Sequence, residues 1–372
     1  MLCQRDDLLV LLLSRVKIRI AIIGLGAAAH NIHLPAYAMI RDKITVVGAC
    51  DISANAKERA KKVWSLYDLF NDPEEMIEKT KPDIVSIITP PAQHFEHCQL
   101  ALNKGCHIFC EKPFMENLEQ VDKIIDLAEQ AKRLVVVNNE FRYMQIHSNV
   151  KKLIGKPEFG ELRYFHAWQT FRPTAHTEAS WRGQLEKRVC FEFGNHVFDL
   201  IRFFFEMNPT KIFAHMPKPL PDMKADLLNI VSVEFHDGRA ASFILDRLCK
   251  GPERYLDIYM NGDHASIHSF IGGELRFQVG MHTRERKPFF DFSLVKGGKA
   301  ELQVGNRSKV IARDPLNPFQ AATSKLFSEF VTAIKNGTPP LCTARDSRNT
   351  LALVLAAYDS AYSGLPVIPQ YD

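Results

Sequence analysis

The β-branched run Ile18 to Ile23 ends in Gly24-Leu25-Gly26-Ala27-Ala28-Ala29, and this junction restricts the fold more than any other feature of the chain. A strand that stops on a glycine and gives way to a helical segment after a second glycine has the G-x-G-x-x-(G/A) spacing of a dinucleotide-binding turn. Gly24 allows the tight turn. Gly26, with Ala27 and Ala28 behind it, lets backbone N–H groups approach a pyrophosphate at a helix N-terminus, and small Ala29 lets helix and strand pack closely. The second β-branched run, Ile44 to Cys50, is followed by Asp51, 22 positions beyond Ala29, where an acidic residue meets the ribose. A carboxylate there accepts both ribose hydroxyls of NAD and repels a 2′-phosphate, so NAD is expected. Nearby Lys57 and Arg59 leave NADP open.

The alternation continues. Runs at Ile84 to Thr89, His107 to Cys110 and Leu134 to Val137 are separated by amphipathic stretches, with helices predicted at Gln93 to Asn103 and Leu118 to Ala131. Asn117 caps the latter, with Gln120 three residues on. Strands alternating with helices predict a doubly wound parallel sheet. After Arg142 the pattern changes to longer alternating strands joined by turn signals: Arg163 to Phe171, Leu227 to Phe235 and, past Asp237-Gly238, Arg239 to Leu245. Tyr255 to Met260 and Ala265 to Phe270 flank Asn261-Gly262, and helices at Phe319 to Lys335 and Ser347 to Tyr362 close the chain. The 372 residues thus divide into an extension (1–16), a Rossmann domain (17–140) and an α/β domain with a large, mainly antiparallel sheet (141–372), whose closing helices are free to pack back on the first domain.

Forty-seven Lys+Arg against 43 Asp+Glu leave a charge of +4 spread along the chain, which gives no footprint for nucleic acid or an anionic membrane and favours a small-molecule partner. The apolar stretch Leu8 to Leu13 is too short to span a bilayer and lacks a small-residue cleavage site. The eight cysteines form no C-x-x-C, and reduced thiols in a cytoplasmic protein are expected. Cys98, Cys106, His107 and Cys110 suggest a metal site, but strand alternation puts His107 opposite Cys106 and Cys110, so no metal is expected.

Three constellations can carry chemistry. Thr89-Pro90-Pro91-Ala92-Gln93-His94 follows a strand's carboxyl end, where open α/β sheets bind ligands. His94 suits a helix cap as well as a ligand contact. Glu111-Lys112-Pro113 ends the next strand, and a Lys there can donate to a substrate hydroxyl and stabilise the alkoxide-like charge that develops as hydride leaves carbon. In Glu192-Phe193-Gly194-Asn195-His196-Val197-Phe198-Asp199, a helix would bring Glu192 and Asp199 within a turn of His196. A carboxylate-oriented His suits the task of taking a hydroxyl proton near neutral pH.

Together with Phe141-Arg142-Tyr143, Trp181-Arg182 and the closing segments from Phe327 to Asp346, these motifs resemble the glucose-fructose oxidoreductase/inositol dehydrogenase/MocA family over nearly the whole chain from Lys17. The resemblance implies a nicotinamide-dependent dehydrogenase or reductase acting on a sugar, cyclitol or related polyol, assembled as a homodimer or homotetramer through the second domain's sheet. It implies Lys112 as catalytic lysine, His196 as general acid/base, Glu192 as its orienting or substrate-binding carboxylate, and a cis Lys112-Pro113 bond. Glu111, Thr89, Pro90, His94 and Arg142 would lie beside the cofactor, and Tyr143, Trp168, Arg172, Trp181 and Arg182 along the substrate wall. Two departures stand out: Glu192 occupies a position where the family usually has Asp, and Glu186 to Phe191 replaces a glycine run. Some relatives keep NAD bound through a redox-neutral glycosidase or epimerase cycle, and others are ligand-sensing regulators without chemistry. Retention of both Lys112 and His196 argues against a sensor.

Overall fold

The computed structural model describes residues 17–172, 174–251, 253–272, 274–282, 287–295 and 297–372; the 1–16 extension lies outside them. The chain forms two compact units, one of residues 1–140, 320–351 and 372, the other of residues 141–319 and 352–371.

The first unit is built on a six-stranded sheet: β1 (Ile18–Ile23), β2 (Ile44–Cys50), β3 (Leu69–Phe70), β4 (Ile84–Ile87), β5 (His107–Cys110) and β6 (Val135–Val137). All pairs are parallel and the order is 3-2-1-4-5-6. The direction of winding reverses between β1 and β4, which opens a ligand crevice at the carboxyl edge of these two strands. The crossovers carry α1 (Leu34–Met39), α2 (Ala54–Trp64), α3 (Pro73–Thr80), α4 (His94–Asn103) and α5 (Leu118–Ala131). Asn117 caps α5 by accepting from the Gln120 amide at 2.9 Å.

β4 and β6 are buried throughout, as a parallel sheet covered on both faces requires. Part of the cover comes from far along the chain. From the helix Pro318–Asn336, Phe327 packs edge-on against Tyr37 and Phe109, each 4.8 Å between ring centroids, and Phe330 stacks on Phe109. Residues 320–351 and 372, part of the sequence segment 141–372 whose closing helices are expected to be free to pack back on the first domain, group with the first unit. The apolar face of that helix finds its partner in the first unit's aromatic core.

The second unit opens with α6 (Gln145–Leu153), α7 (Ala175–Ala179) and α8 (Asn195–Phe205), and its sheet holds β7 (Leu162–Thr170), β8 (Lys211–His215), β9 (Leu228–Glu234), β10 (Ala240–Asp246), β11 (Arg254–Gly262), β12 (Ser266–Ile271), β15 (Lys299–Val304) and β16 (Arg307–Arg313). The order is 16-15-12-11-7-10-9-8, antiparallel except for the parallel pair β7–β10. Strands β13 (Glu274–His282) and β14 (Lys287–Val295) form a separate hairpin. The strict alternation of burial in β8, β9 and β10 separates the sheet's two faces. Phe165 and Phe243 point to α8, meeting Phe204 at 6.1 Å and Phe198 at 4.9 Å. The other face carries the exposed Tyr164, Trp168, Phe213, Ile230 and Tyr259. No helix among the described residues is long and apolar enough to cross a membrane.

Because Phe327 is fully buried between two aromatic side chains, Phe327→Ala is expected to destabilise the first unit by about 3–5 kcal/mol. Phe213→Ala, on the exposed face, is expected to change stability by less than about 1 kcal/mol. Urea unfolding of the two variants compared with the parent checks both.

Candidate functional site

At the carboxyl edge of the first sheet the nucleotide loop has the shape its sequence demands. Gly24 adopts φ +96°, and a Cβ there would come within 2.8 Å of the Ile88 carbonyl group, so any side chain would be both strained and obstructed. Around Gly26 nothing lies within 4 Å of a Cβ position, which leaves the space a pyrophosphate needs. Helical geometry begins at Ala27 and passes through a π turn, Ala29–His33, into α1, so loop amides stand at a helix N-terminus. The Asp51 carboxylate accepts from the Leu25 amide at 2.7 Å and from the Ser53 amide at 2.7 Å. It thus ties the glycine loop to the end of β2, and each oxygen keeps a lone pair for a ribose hydroxyl. The Thr89 Oγ1 is buried with no hydrogen-bond partner, as expected of a loop that meets a polar ligand. These residues fit a dinucleotide.

Beyond β5, the Lys112-Pro113 bond is cis and the preceding Glu111 is buried. His33 lies 2.6 Å from Glu111 Oε1, the Asn138 amide donates to the same oxygen at 2.7 Å, and the Lys112 backbone N–H donates to Oε2 at 3.1 Å. Behind His33, its Nδ1 meets the Tyr37 hydroxyl, which is 2.6 Å from Ser86. Burial alone would raise the Glu111 pKa, but His33, Lys112 and Asn138 together bring it down to about 2. Glu111 therefore anchors the loop that presents Lys112. His94 has a similar structural task. Its Nε2 lies 2.8 Å from the Thr89 carbonyl and its Nδ1 3.0 Å from that of Phe114. The ring staples the Thr89 loop to the loop after Pro113 and is wholly enclosed. Burial pulls its pKa down against the pull of those carbonyls.

In the second unit, residues 190–194 form a π turn that runs directly into α8, an irregularity frequent at functional sites. Glu192 and His196 lie on this continuous helical run. The His196 ring stacks on Phe141, 3.9 Å between centroids with planes 10° apart, and meets Phe193 edge-on at 5.4 Å. Arg142, next in the chain, forms a two-pronged pair with Asp199: Nε donates to Oδ2 at 2.7 Å and Nη2 to Oδ1 at 2.6 Å. The Phe141-Arg142 segment therefore holds His196 by ring stacking and its helix by a largely buried ion pair.

Glu192 accepts from Arg182 at 2.6 Å, and Arg182 lies over Trp181 at 4.4 Å, so three predicted residues meet. The segment read as a departure, Glu186 to Phe191, is pinned by Asp226, which accepts from the Val189 and Cys190 amides at 3.2 and 2.8 Å and from the Tyr358 hydroxyl at 3.0 Å. Trp168 is not brought to His196. It lies on the sheet face turned away from α8, with Arg254 over its ring at 5.1 Å, because strand alternation gives the α8 side to Phe165 and Ala167. Arg172 is exposed and contacts the Gly251 carbonyl at 3.3 Å, and Tyr143 is buried. His107 Nδ1 accepts from the Leu134 amide at 3.0 Å, a strand contact, and no metal-binding cluster occurs among the described residues.

Three groups escaped sequence reading. His33 and Asn138 are distant in sequence from Glu111, and only the sheet brings them together. Tyr255 joins Phe141, Phe193 and Phe319 in an aromatic cluster around His196 and also lines a cavity of about 250 Å³ with Phe171, Arg254, Asp257 and His268. Arg247 lies between Phe171 and Phe193. A lone Arg after a strand carries no signal in sequence.

The folded pKa of Glu111 lies below its ordinary 4.5, so its ionised form contributes stability that is complete above about pH 4.5 and is lost as pH falls toward 2. Glu111→Gln is expected to flatten the fall in stability between these limits. Denaturation midpoints measured across that range provide the check; an unchanged pH profile would contradict it.

Two family models match the chain: an oxidoreductase family with an NAD-binding Rossmann fold over residues 18–139, and the Gfo/Idh/MocA C-terminal domain over residues 147–268. The chain is 28% identical to D-glucoside 3-dehydrogenase of Escherichia coli K12 over 145 residues, which cover 39% of this chain and 41% of that protein. It is 23% identical to D-apiose dehydrogenase of Paraburkholderia graminis over 354 residues, 93% of this chain and 88% of that one. Among solved structures, an Agrobacterium radiobacter oxidoreductase in complex with NAD+, L-tartaric acid and magnesium superposes with a TM-score of 0.79 at 17% identity, covering 95% of this chain and 98% of the other. For myo-inositol 2-dehydrogenase of Lactobacillus plantarum the TM-score is 0.76 at 20% identity, with 95% and 100% covered. With a glycine loop built for a dinucleotide, a lysine after the fifth strand and both domain models matched, the chain belongs to the Gfo/Idh/MocA family of NAD-binding oxidoreductases.

Proposed function

We propose that this protein catalyses reversible hydride transfer between NAD(H) and a carbon bearing a secondary hydroxyl on a sugar, cyclitol or related polyol. The observation that carries the reading is the convergence of the Gly24–Gly26 loop, Asp51 and Lys112 on one edge of the first sheet, beside the reversal of strand order. The similarity to D-glucoside 3-dehydrogenase and D-apiose dehydrogenase supports the substrate class.

Gly24, Gly26, Ala27 and Ala28 would hold the pyrophosphate, Asp51 the adenosine ribose, and Thr89 and Pro90 the edge of the crevice. A nicotinamide bound there would supply the hydride acceptor and donor. Lys112 donates a hydrogen bond to the substrate oxygen, and its positive charge favours the alkoxide character that grows there. His196 takes the hydroxyl proton in oxidation and returns it in reduction. Phe141 limits rotation of the imidazole, so the proton acceptor is oriented before substrate arrives. Glu192, paired with Arg182, receives substrate hydroxyls or orients His196; its extra methylene relative to Asp suits a carboxylate that must also reach an arginine.

The open face of the second sheet favours a homodimer or homotetramer. Tyr164, Trp168, Phe213, Ile230 and Tyr259 form an exposed apolar surface, interleaved with pairs such as Tyr164–Ser242 at 2.7 Å and the Tyr259–His268 ring stack at 4.2 Å, the composition of a surface that meets another protein surface. A cytoplasmic location agrees with the free cysteines among the described residues.

The decisive experiment is titration with NAD and NADP, followed by a panel of sugars, cyclitols and their keto forms. Preference for NAD with turnover of a polyol is expected. Asp51→Ala should weaken NAD binding and narrow the preference over NADP, while Lys112→Ala and His196→Ala should each lower kcat by about 10²- to 10⁴-fold with NAD still bound. Full turnover in Lys112→Ala would end the assignment of that lysine. Tight cofactor without net turnover would replace the dehydrogenase reading with a redox-neutral cycle or a sensor.

A further inference from the structure

Arg247 follows β10, and its guanidinium carbon lies 5.0 Å from the Phe171 ring centroid and 5.5 Å from that of Phe193. Phe193 in turn packs against the His196 ring. The guanidinium thus lies near two aromatic rings, one of which touches the proposed proton acceptor, and its Nη1 is buried and meets no hydrogen-bond acceptor. An unpaired N–H of a cation removed from water is costly, and such a cost is offset when a ligand supplies the acceptor. Burial pulls the pKa of Arg247 down to about 10, with Glu192 the strongest opposing influence, so the group is still a cation at neutral pH.

The carboxylates nearby already have donors. Glu192 accepts from Arg182, and Asp226 accepts from the Val189 and Cys190 amides and from Tyr358. Arg188, a buried cation of this region, is paired with Glu178 at 2.6 Å. With Arg182 and Arg188 so paired, Arg247 brings a single positive charge, which one carboxylate balances and a phosphate dianion exceeds. A guanidinium presents its N–H groups as a planar fork that matches a planar two-oxygen group.

We propose that Arg247 is a specificity-determining residue that binds a carboxylate of the substrate, so that the preferred substrate is a sugar acid of the uronate or aldonate class instead of a neutral polyol. The proposal deepens the dehydrogenase reading and rests on it for the place of the substrate beside His196. A neutral sugar would leave Nη1 without an acceptor of matching charge, and a site with an unpaired buried donor discriminates strongly against the ligand that leaves it so.

The test is calorimetric binding of D-glucuronate, D-gluconate and D-glucose to the full chain saturated with NADH, alongside NAD-linked oxidation of each. At least one acid is expected to bind about 10- to 100-fold more tightly than glucose, the range of a charge-assisted hydrogen bond. Arg247→Met should abolish that preference and Arg247→Lys retain part of it. In turnover, Arg247→Met should raise KM for the acid with little change in kcat. Equal binding of acids and glucose, absence of binding by all three, or a preference that survives Arg247→Met would each overturn the proposal. The comparison of acid with glucose on the parent chain needs no variant, so a poorly folding substitution leaves it decisive. Selective acid binding without NAD reduction would refute the dehydrogenase reading alone, and turnover of neutral sugars with no acid preference would refute the carboxylate site alone.

Discussion

A parallel sheet buried on both faces leaves polar groups nowhere to work except at its ends, and this constraint governs the first unit. Its central strands are apolar on both sides, so Asp51, Thr89, Glu111 and Lys112 all fall just past strand carboxyl ends. The same burial makes each polar group at that edge depend on a defined partner. Asp51 is fixed by the Leu25 and Ser53 amides, Glu111 by His33, Asn138 and the Lys112 amide. The loop that presents the lysine is anchored by a carboxylate whose pKa burial alone would have raised and whose partners bring it down.

The second unit solves a different problem. Its sheet is covered by helices on one face, so α8 can carry His196 on a surface packed against Phe141 and Phe193. An imidazole enclosed by aromatic rings would have freedom to slide along them. The Arg142–Asp199 fork removes this freedom by fixing α8 to the segment that supplies Phe141. The adjacent positions 141 and 142 thus act together, one through ring contact and the other through charge.

Local patterns were readable from sequence because their physics is local. The glycine spacing, the Asn117 cap and five of the six strands of the first sheet depend on residues a few positions apart or on strict periodicity, whereas the two-residue β3 is too short to carry a pattern. Chain-distant pairings were not. Nothing in the sequence near Arg142 shows that its partner is Asp199, and Trp168 gave no sign of which sheet face it occupies until the register of β7 was known. His94 illustrates an intermediate case. Its position at the start of a helix was legible, but the two carbonyls it bridges belong to loops that only the parallel pairing of β4 and β5 brings side by side. The assignment of the helix Pro318–Asn336 to the first unit depends likewise on Phe109 and Tyr37, hundreds of residues earlier, offering it an aromatic surface.

The charges of the candidate site differ in how completely they are satisfied. Asp199, Glu192, Glu111 and Asp51 each accept hydrogen bonds from identified donors, which is the ordinary condition for carboxylates withdrawn from water. Arg247 is held as firmly, but by aromatic faces, which attract a cation without accepting its N–H bonds in the guanidinium plane. Ring contact lowers the energy of placing a positive charge there while Nη1 stays without an acceptor. A charge stabilised in this way is suited to a partner that comes and goes, because no protein acceptor has to be displaced when the ligand arrives.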